Sequence, residues 1–155
     1  MEQTAFQKII TFLEKNKISY QQKEHPPTYT SEQSATYRNE PLKIGAKALI
    51  LKTDTEFIMC VISAAKKLDS KKVKEKVKSK KLRFATIEEV KKITFCVPGA
   101  IPPFGNIFNI NTLVDKSIEE NEDIAFNAGS LTNSIKIKSA EYRRALKPVI
   151  VDISQ

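Results

Sequence analysis

Histidine occurs once in this chain, cysteine twice and glycine four times, and each shortage excludes a class of chemistry. With His25 as the only imidazole, a histidine-centred metal site is ruled out, and any Ser/His/Asp triad would have to use that single ring. His25 stands directly before Pro26 and Pro27, a setting that favours a structural or surface role. Gly45, Gly99, Gly105 and Gly129 are too few and too scattered for a glycine-rich nucleotide loop, and no G-x-x-x-x-G-K-[ST] run is present. Cys60 and Cys96 lie far apart in apolar runs without a C-x-x-C, so zinc and dithiol redox chemistry are not indicated. Buried free thiols fit a reducing cytosol. No apolar run approaches the roughly 18 residues of a membrane helix. The opening segment has neither a basic nor an apolar signal region. The expectation is a cytoplasmic protein with no membrane partner, no metal and no other cofactor.

What is present is an ordinary globular composition, 41% hydrophobic and 28% charged, over 155 residues. That length suits one domain spanning residues 1–155, large enough to bury a core without disulfides or metal. The net charge is +8, and it is concentrated: between Lys66 and Lys92 there are 12 basic and 4 acidic residues, a surplus of 8, so the remainder is neutral. A concentrated basic face attracts polyanions because each neutralised phosphate releases counterions. A solvated lysine-rich helix would look the same.

The hydrophobic patterning alternates between helical and strand periods. Thr4 and Gln7 have capping-box spacing ahead of a helical stripe of Phe6, Ile9, Ile10 and Leu13. Residues 18–23 read as a short strand, and Ser31 as the cap of a short helix through Tyr37. Residues 46–53 and 57–64 are apolar, strand-like and joined by a short polar link, which predicts a hairpin. Asp69 and Ser70 open a lysine-rich helix, residues 82–85 read as a strand, and Thr86 with Glu89 forms a second capping box. The Pro/Gly-rich residues 98–111 predict a loop leading to a strand near Ile107. Further strands are expected at Leu113–Val114, 124–126, 134–137 and 149–153, with a helical turn over 117–120 and a last helix capped by Ser139. Helices and strands mixed without regular β-α-β repetition indicate an α+β fold.

Three segments carry candidate chemistry. The loop from Gly99 through Ile101, Pro102 and Pro103 to Gly105 combines glycines that let backbone approach a ligand with prolines that stiffen the path. The segment Asn127, Ala128, Gly129, Ser130, Leu131, Thr132 follows a strand with small polar residues suited to a pocket rim. Lys47 shares a strand face with Leu49 and Leu51, placing a cation where apolar groups point; such a lysine binds phosphate or an oxyanion, or else snorkels to solvent. Taken singly, each is better explained as an ordinary turn or strand end.

Taken together, they resemble the YbaK proteins and the editing domain associated with bacterial prolyl-tRNA synthetase. The likeness runs from His25 to Ile153 and rests on four motifs in order. These are the strand Gly45–Lys52 containing Lys47, the G-x-x-x-P-x-G loop (Gly99, Pro103, Gly105), Leu113-Val114-Asp115, and residues Phe126–Ile135. The resemblance implies an α+β fold with a mixed, barrel-like sheet flanked by helices. It also implies metal-independent hydrolysis of the ester joining a wrong amino acid to tRNA. In this reading Lys47 is the catalytic residue. Gly99, Ile101, Pro103 and Gly105 line the aminoacyl pocket, and Asn127, Ala128, Gly129, Ser130 and Thr132 close it. Lys74, Lys78 and Lys81 in the basic stretch engage the tRNA backbone. The partners are mischarged tRNA and a synthetase such as prolyl-tRNA synthetase. The chain departs from many relatives at Phe95, where they carry glycine, and at Asn133, where they carry histidine or another polar residue. The alternative is a non-catalytic module of the same fold that binds tRNA or a synthetase.

Overall fold

In the computed structural model, which describes residues 3–155, five helices surround two hydrogen-bonded sheets. Met1 and Glu2, part of the opening segment read above for a targeting signal, lie outside the described residues. Helix α1 (Ala5–Lys15) starts at the Thr4–Gln7 capping box and buries Ala5, Ile9 and Leu13 along its apolar stripe. Strand β1 (Gln21–Glu24) follows, then α2 (Ser31–Arg38), the hairpin strands β2 (Ala46–Lys52) and β3 (Phe57–Ser63), α3 (Ser70–Val77) and β4 (Arg83–Phe84). Helix α4 (Ile87–Thr94), β5 (Asn111–Asp115), β6 (Asp123–Asn127), β7 (Asn133–Lys138), α5 (Ser139–Leu146) and β8 (Val149–Val151) complete the chain. Among the described residues no helix is long and apolar enough to cross a membrane.

The larger sheet has the order β4-β2-β3-β5-β8, with β3–β5 and β5–β8 parallel and the rest antiparallel. The smaller is β1-β7-β6, all antiparallel. A single parallel bridge, Gly45 to Ala125, joins them. The sheet is therefore mixed and flanked by helices, as expected, but the strands form two sheets and not one closed barrel. The β2–β3 hairpin is covered on both faces, which is why its strands read as nearly continuous apolar runs. Ala46, Ala48 and Ile50 face the main core with Met59, Val61, Phe104 and Phe126. Leu49 and Leu51 face a second cluster with Ile58, Cys60 and Ile62, closed by Val73 of α3 and by Ile153.

Three local expectations are corrected. Thr30, not Ser31, caps α2 by accepting from the Gln33 N–H. Ile107 lies in a 3-10 turn over Gly105–Phe108, and the strand begins at Asn111. Ser139 is the first residue of α5, and its hydroxyl donates to the Ile118 carbonyl instead of capping the helix. Glycine scarcity also shows in the backbone. Asn39, Lys78, Phe95 and Lys147 adopt the left-handed conformation where α2, α3, α4 and α5 end, with φ between 49° and 59°.

Candidate active site

Because β4 pairs only with Leu51 and Lys52, the edge of β2 from Gly45 to Leu49 has no strand beside it apart from the Gly45–Ala125 bridge. The Ile50 carbonyl turns toward Ala85 N–H on that edge, so by alternation the peptide groups of Ala48 face the same way. A cleft of about 220 Å³ opens there. It is lined by Thr28, Thr30, Ser31 and Ser34 around the start of α2, by Pro98, Gly99 and Ile101, and by Asn127 and Leu131. Gly45 opens the floor: a side chain there would begin 2.9 Å from the Ala64 Cβ.

Lys47 lines this cleft, half-buried and without an ion-pair partner among the described residues. Gly99 and Ile101 line it too. Gly99 has φ +90° and open space around its missing side chain, so the backbone conformation, not crowding, calls for glycine. Pro103 and Gly105 lie outside it. The Pro103 carbonyl accepts from the buried Tyr142 hydroxyl at 2.6 Å. A side chain on Gly105 would meet Thr112 Oγ1 at 2.1 Å, so Gly105 holds the loop against β5.

Of the second segment, only Asn127 and Leu131 border the cleft. Ala128 is fully buried. Gly129 has φ +81° and passes so close to α1 that a Cβ would sit 2.7 Å from Phe6 N, while its own N–H donates to the Ala100 carbonyl at 2.7 Å. That bond ties this segment to the Gly99 loop. Ser130 and Thr132 share a hydroxyl–hydroxyl bond of 2.8 Å, and the carbonyls of Leu131 and Thr132 accept from Thr28 and His25 N–H. Their contribution is the turn itself. Lys74, Lys78 and Lys81 are exposed on and just beyond α3. Lys72 of the same helix is anchored instead, donating to Asp152 at 3.1 Å and to the Ser154 carbonyl at 2.9 Å.

Sequence reasoning missed Arg38. The last residue of α2, it lines the cleft and sits at the centre of a chain of hydrogen bonds. Arg38 Nε donates to Ser134 Oγ at 2.8 Å and Nη2 to Asn127 Oδ1 at 2.9 Å, while Asn127 Nδ2 donates to the Gly99 carbonyl at 2.7 Å. His25 closes the other end. Its Nδ1 lies 2.9 Å from the Pro26 carbonyl and must donate, so in the neutral ring Nε2 accepts from the Ser134 hydroxyl at 2.8 Å. The His25 ring stacks on Tyr37 and does not line the cleft, which agrees with a structural role. Burial lowers the Arg38 pKa to about 10, with nearby Glu40 acting in the opposite direction. The available signal was weak: α2 has no apolar stripe, and buried Ser34 lies four residues before Arg38 on one face.

Neither thiol is a plausible nucleophile. Burial pushes Cys60 up to about 12 and raises Cys96 as well, and neither lines the cleft. Among the described residues no cluster of three or more His, Cys, Asp or Glu side chains is placed to hold a metal.

A profile of the aminoacyl-tRNA editing domain family matches residues 25–145, and the chain belongs to that family. It is 28% identical over 151 residues to the multifunctional Ser/Thr-tRNA deacylase ProXp-y of Escherichia coli strain K12, covering 94% of this chain and 90% of that one. It is 29% identical over 123 residues to the prolyl-tRNA editing protein ProX of Acetoanaerobium sticklandii, covering 78% and 75% respectively. Among solved structures, the hypothetical protein APE2540 has the same fold, with TM-score 0.88 at 21% identity over 96% of this chain and 99% of that one.

Proposed function

We propose that this chain is a trans-acting deacylase that hydrolyses the ester of mischarged tRNA. The observation that carries the reading is the cleft at the unpaired edge of β2. It places an ammonium group without a counter-ion, Lys47, among wall residues none of which is acidic, in a chain of the editing-domain family. An aminoacyl ester is already activated, so hydrolysis needs positioning, donors for the developing oxyanion and a placed water more than a nucleophilic side chain. Water adds to the ester carbonyl to give a tetrahedral oxyanion, and the proton it releases is the one the leaving ribose oxygen takes up. Collapse expels the ribose oxygen, which takes a proton, and frees the amino acid. Lys47 stabilises the negative charge, and the Gly99 loop, fixed through Asn127, shapes the aminoacyl side of the pocket. The exposed lysines 74, 78 and 81 hold the tRNA backbone.

Thr28, Thr30, Ser31 and Ser34 give the cleft a polar side, although the Ser34 hydroxyl donates to Thr28 and that of Thr30 caps α2. The relative named for Ser/Thr-tRNA points to a small, hydroxylated amino acid. Any delivering partner would be a synthetase such as prolyl-tRNA synthetase. The test is a deacylation panel of tRNAs charged with alanine, cysteine, serine and threonine, with hydrolysis of the seryl or threonyl ester expected. Binding of every tRNA with hydrolysis of none would replace this reading with a non-catalytic module.

A further inference from the structure

Arg38 makes no ion pair among the described residues, and Glu40 acts on its charge only from a distance. Its Nε and Nη2 bond only to neutral acceptors, Ser134 and Asn127. Nη1 has no protein hydrogen-bond acceptor among the described residues and lies 3.7 Å from where a side chain on Gly45, also a cleft-lining residue, would start. Glu40, the carboxylate that acts on Arg38, pairs with Lys136 at 2.7 Å. None of the cleft-lining residues is acidic, and two are cationic, Arg38 and Lys47. Half-burying a guanidinium without an ion pair costs solvation, and a purely structural donor to Ser134 and Asn127 would need no charge.

We propose that Arg38 is a ligand-binding group of this cleft, its Nη1 taking a phosphate oxygen of the terminal nucleotide and leaving Lys47 for the ester carbonyl. The assignment rests on the deacylase reading above. An aminoacylated tRNA end carries no carboxylate, and its amino group is neutral or cationic, so the phosphodiester is the one anion it can offer. A planar guanidinium already anchored through two nitrogens presents its third in a fixed direction, which suits a phosphate oxygen better than a mobile ammonium does.

The experiment compares adenosine 5′-monophosphate with adenosine as mimics of the terminal nucleotide, with and without phosphate. Dissociation constants come from chemical-shift titration of the folded chain, alongside deacylation assays. Wild type should bind the monophosphate roughly ten- to a hundredfold more tightly than adenosine, the scale of one hydrogen-bonded charge pair. Arg38→Gln should bring the two within about threefold of each other, read as the ratio of the two dissociation constants in the same variant, whatever it does to the affinity for adenosine itself. Should that variant fail to fold, Arg38→Lys serves: one ammonium cannot reach Ser134, Asn127 and a ligand together, so the preference should shrink several-fold. A wild type with no phosphate preference, or folded variants that keep it in full, would overturn the assignment. A deacylase whose phosphate preference ignores Arg38 refutes this inference alone, whereas an Arg38-dependent preference without hydrolysis refutes only the deacylase reading.

Discussion

Asp115→Asn should be among the most damaging single substitutions outside the cleft. The Asp115 side chain is fully buried and accepts three hydrogen bonds: Ile153 N–H on Oδ1 at 2.8 Å, and Ser154 Oγ and Ser117 N–H on Oδ2 at 2.8 and 3.0 Å. An amide has one acceptor oxygen, so either orientation turns its NH2 against a backbone N–H of Ser117 or Ile153. A stranded buried donor costs about 1–3 kcal/mol, and weakening the remaining charge-assisted bonds adds about 1 kcal/mol. A loss of roughly 2–4 kcal/mol corresponds to a melting point lower by roughly 5–15 °C for a chain of this size. Burial raises the Asp115 pKa, but the bonds from Ser117, Ile153 and Ser154 outweigh it and hold the carboxyl below its usual range. A depressed folded value stabilises fully above the unfolded pKa of about 3.9 and is lost as pH falls through the folded one. The gap between wild type and variant should therefore be full at pH 5–7 and close only as pH falls below about 3.9 through the depressed folded value. Thermal and urea unfolding at pH 7, 5 and 3 measure both effects. A variant melting within about one degree of wild type at pH 7, or a gap constant down to pH 3, would refute the account.

Lys47→Ala should leave the melting point nearly unchanged and cut deacylation by about 10²–10³-fold; a folded variant with normal initial rates would remove Lys47 from the mechanism. Reversing Lys74, Lys78 and Lys81 to Glu should weaken tRNA binding and flatten its salt dependence, with much less effect on turnover at saturating tRNA. An unchanged salt slope would make the segment a solvated face. Gly99→Val meets no steric obstacle but cannot easily hold φ +90°, so it should displace the carbonyl that Asn127 grips and abolish deacylation in a protein that still folds. Full activity in that folded variant would detach the Gly99 loop from the site.

Capping chemistry made the starts of α1 and α4 legible, through Thr4 with Gln7 and Thr86 with Glu89, and apolar patterning made the β2–β3 hairpin legible. Neither could show that β3, β5 and β8 pair in parallel, since parallel neighbours are joined by long connections that leave no turn signature between them. The family motifs led to Lys47, Gly99, Ile101 and Asn127, which the fold brings to one cleft. They gave equal standing to Pro103, Gly105 and Gly129, whose surroundings are packed against Tyr142, Thr112 and α1. A motif marks where backbone is constrained and does not say whether a ligand or a neighbouring element imposes the constraint. Arg38 escaped because its importance lies in two residues 89 and 96 positions away, Asn127 and Ser134.

The left-handed helix ends also leave the chain with an untapped margin. A residue with a Cβ in that conformation, asparagine excepted, is disfavoured by roughly 1 kcal/mol relative to glycine, so Lys78, Phe95 and Lys147 each hold back stability that one substitution would release. At Lys78 the withheld stability keeps a cation at the tip of the basic helix, where glycine would remove it. At Phe95 it keeps an exposed ring beneath the Lys8 ammonium, 5.4 Å from the ring centre. Thermostabilising the fold and preserving its charged surface therefore pull in opposite directions at Lys78, while Phe95 offers a place to gain heat tolerance without touching the cleft.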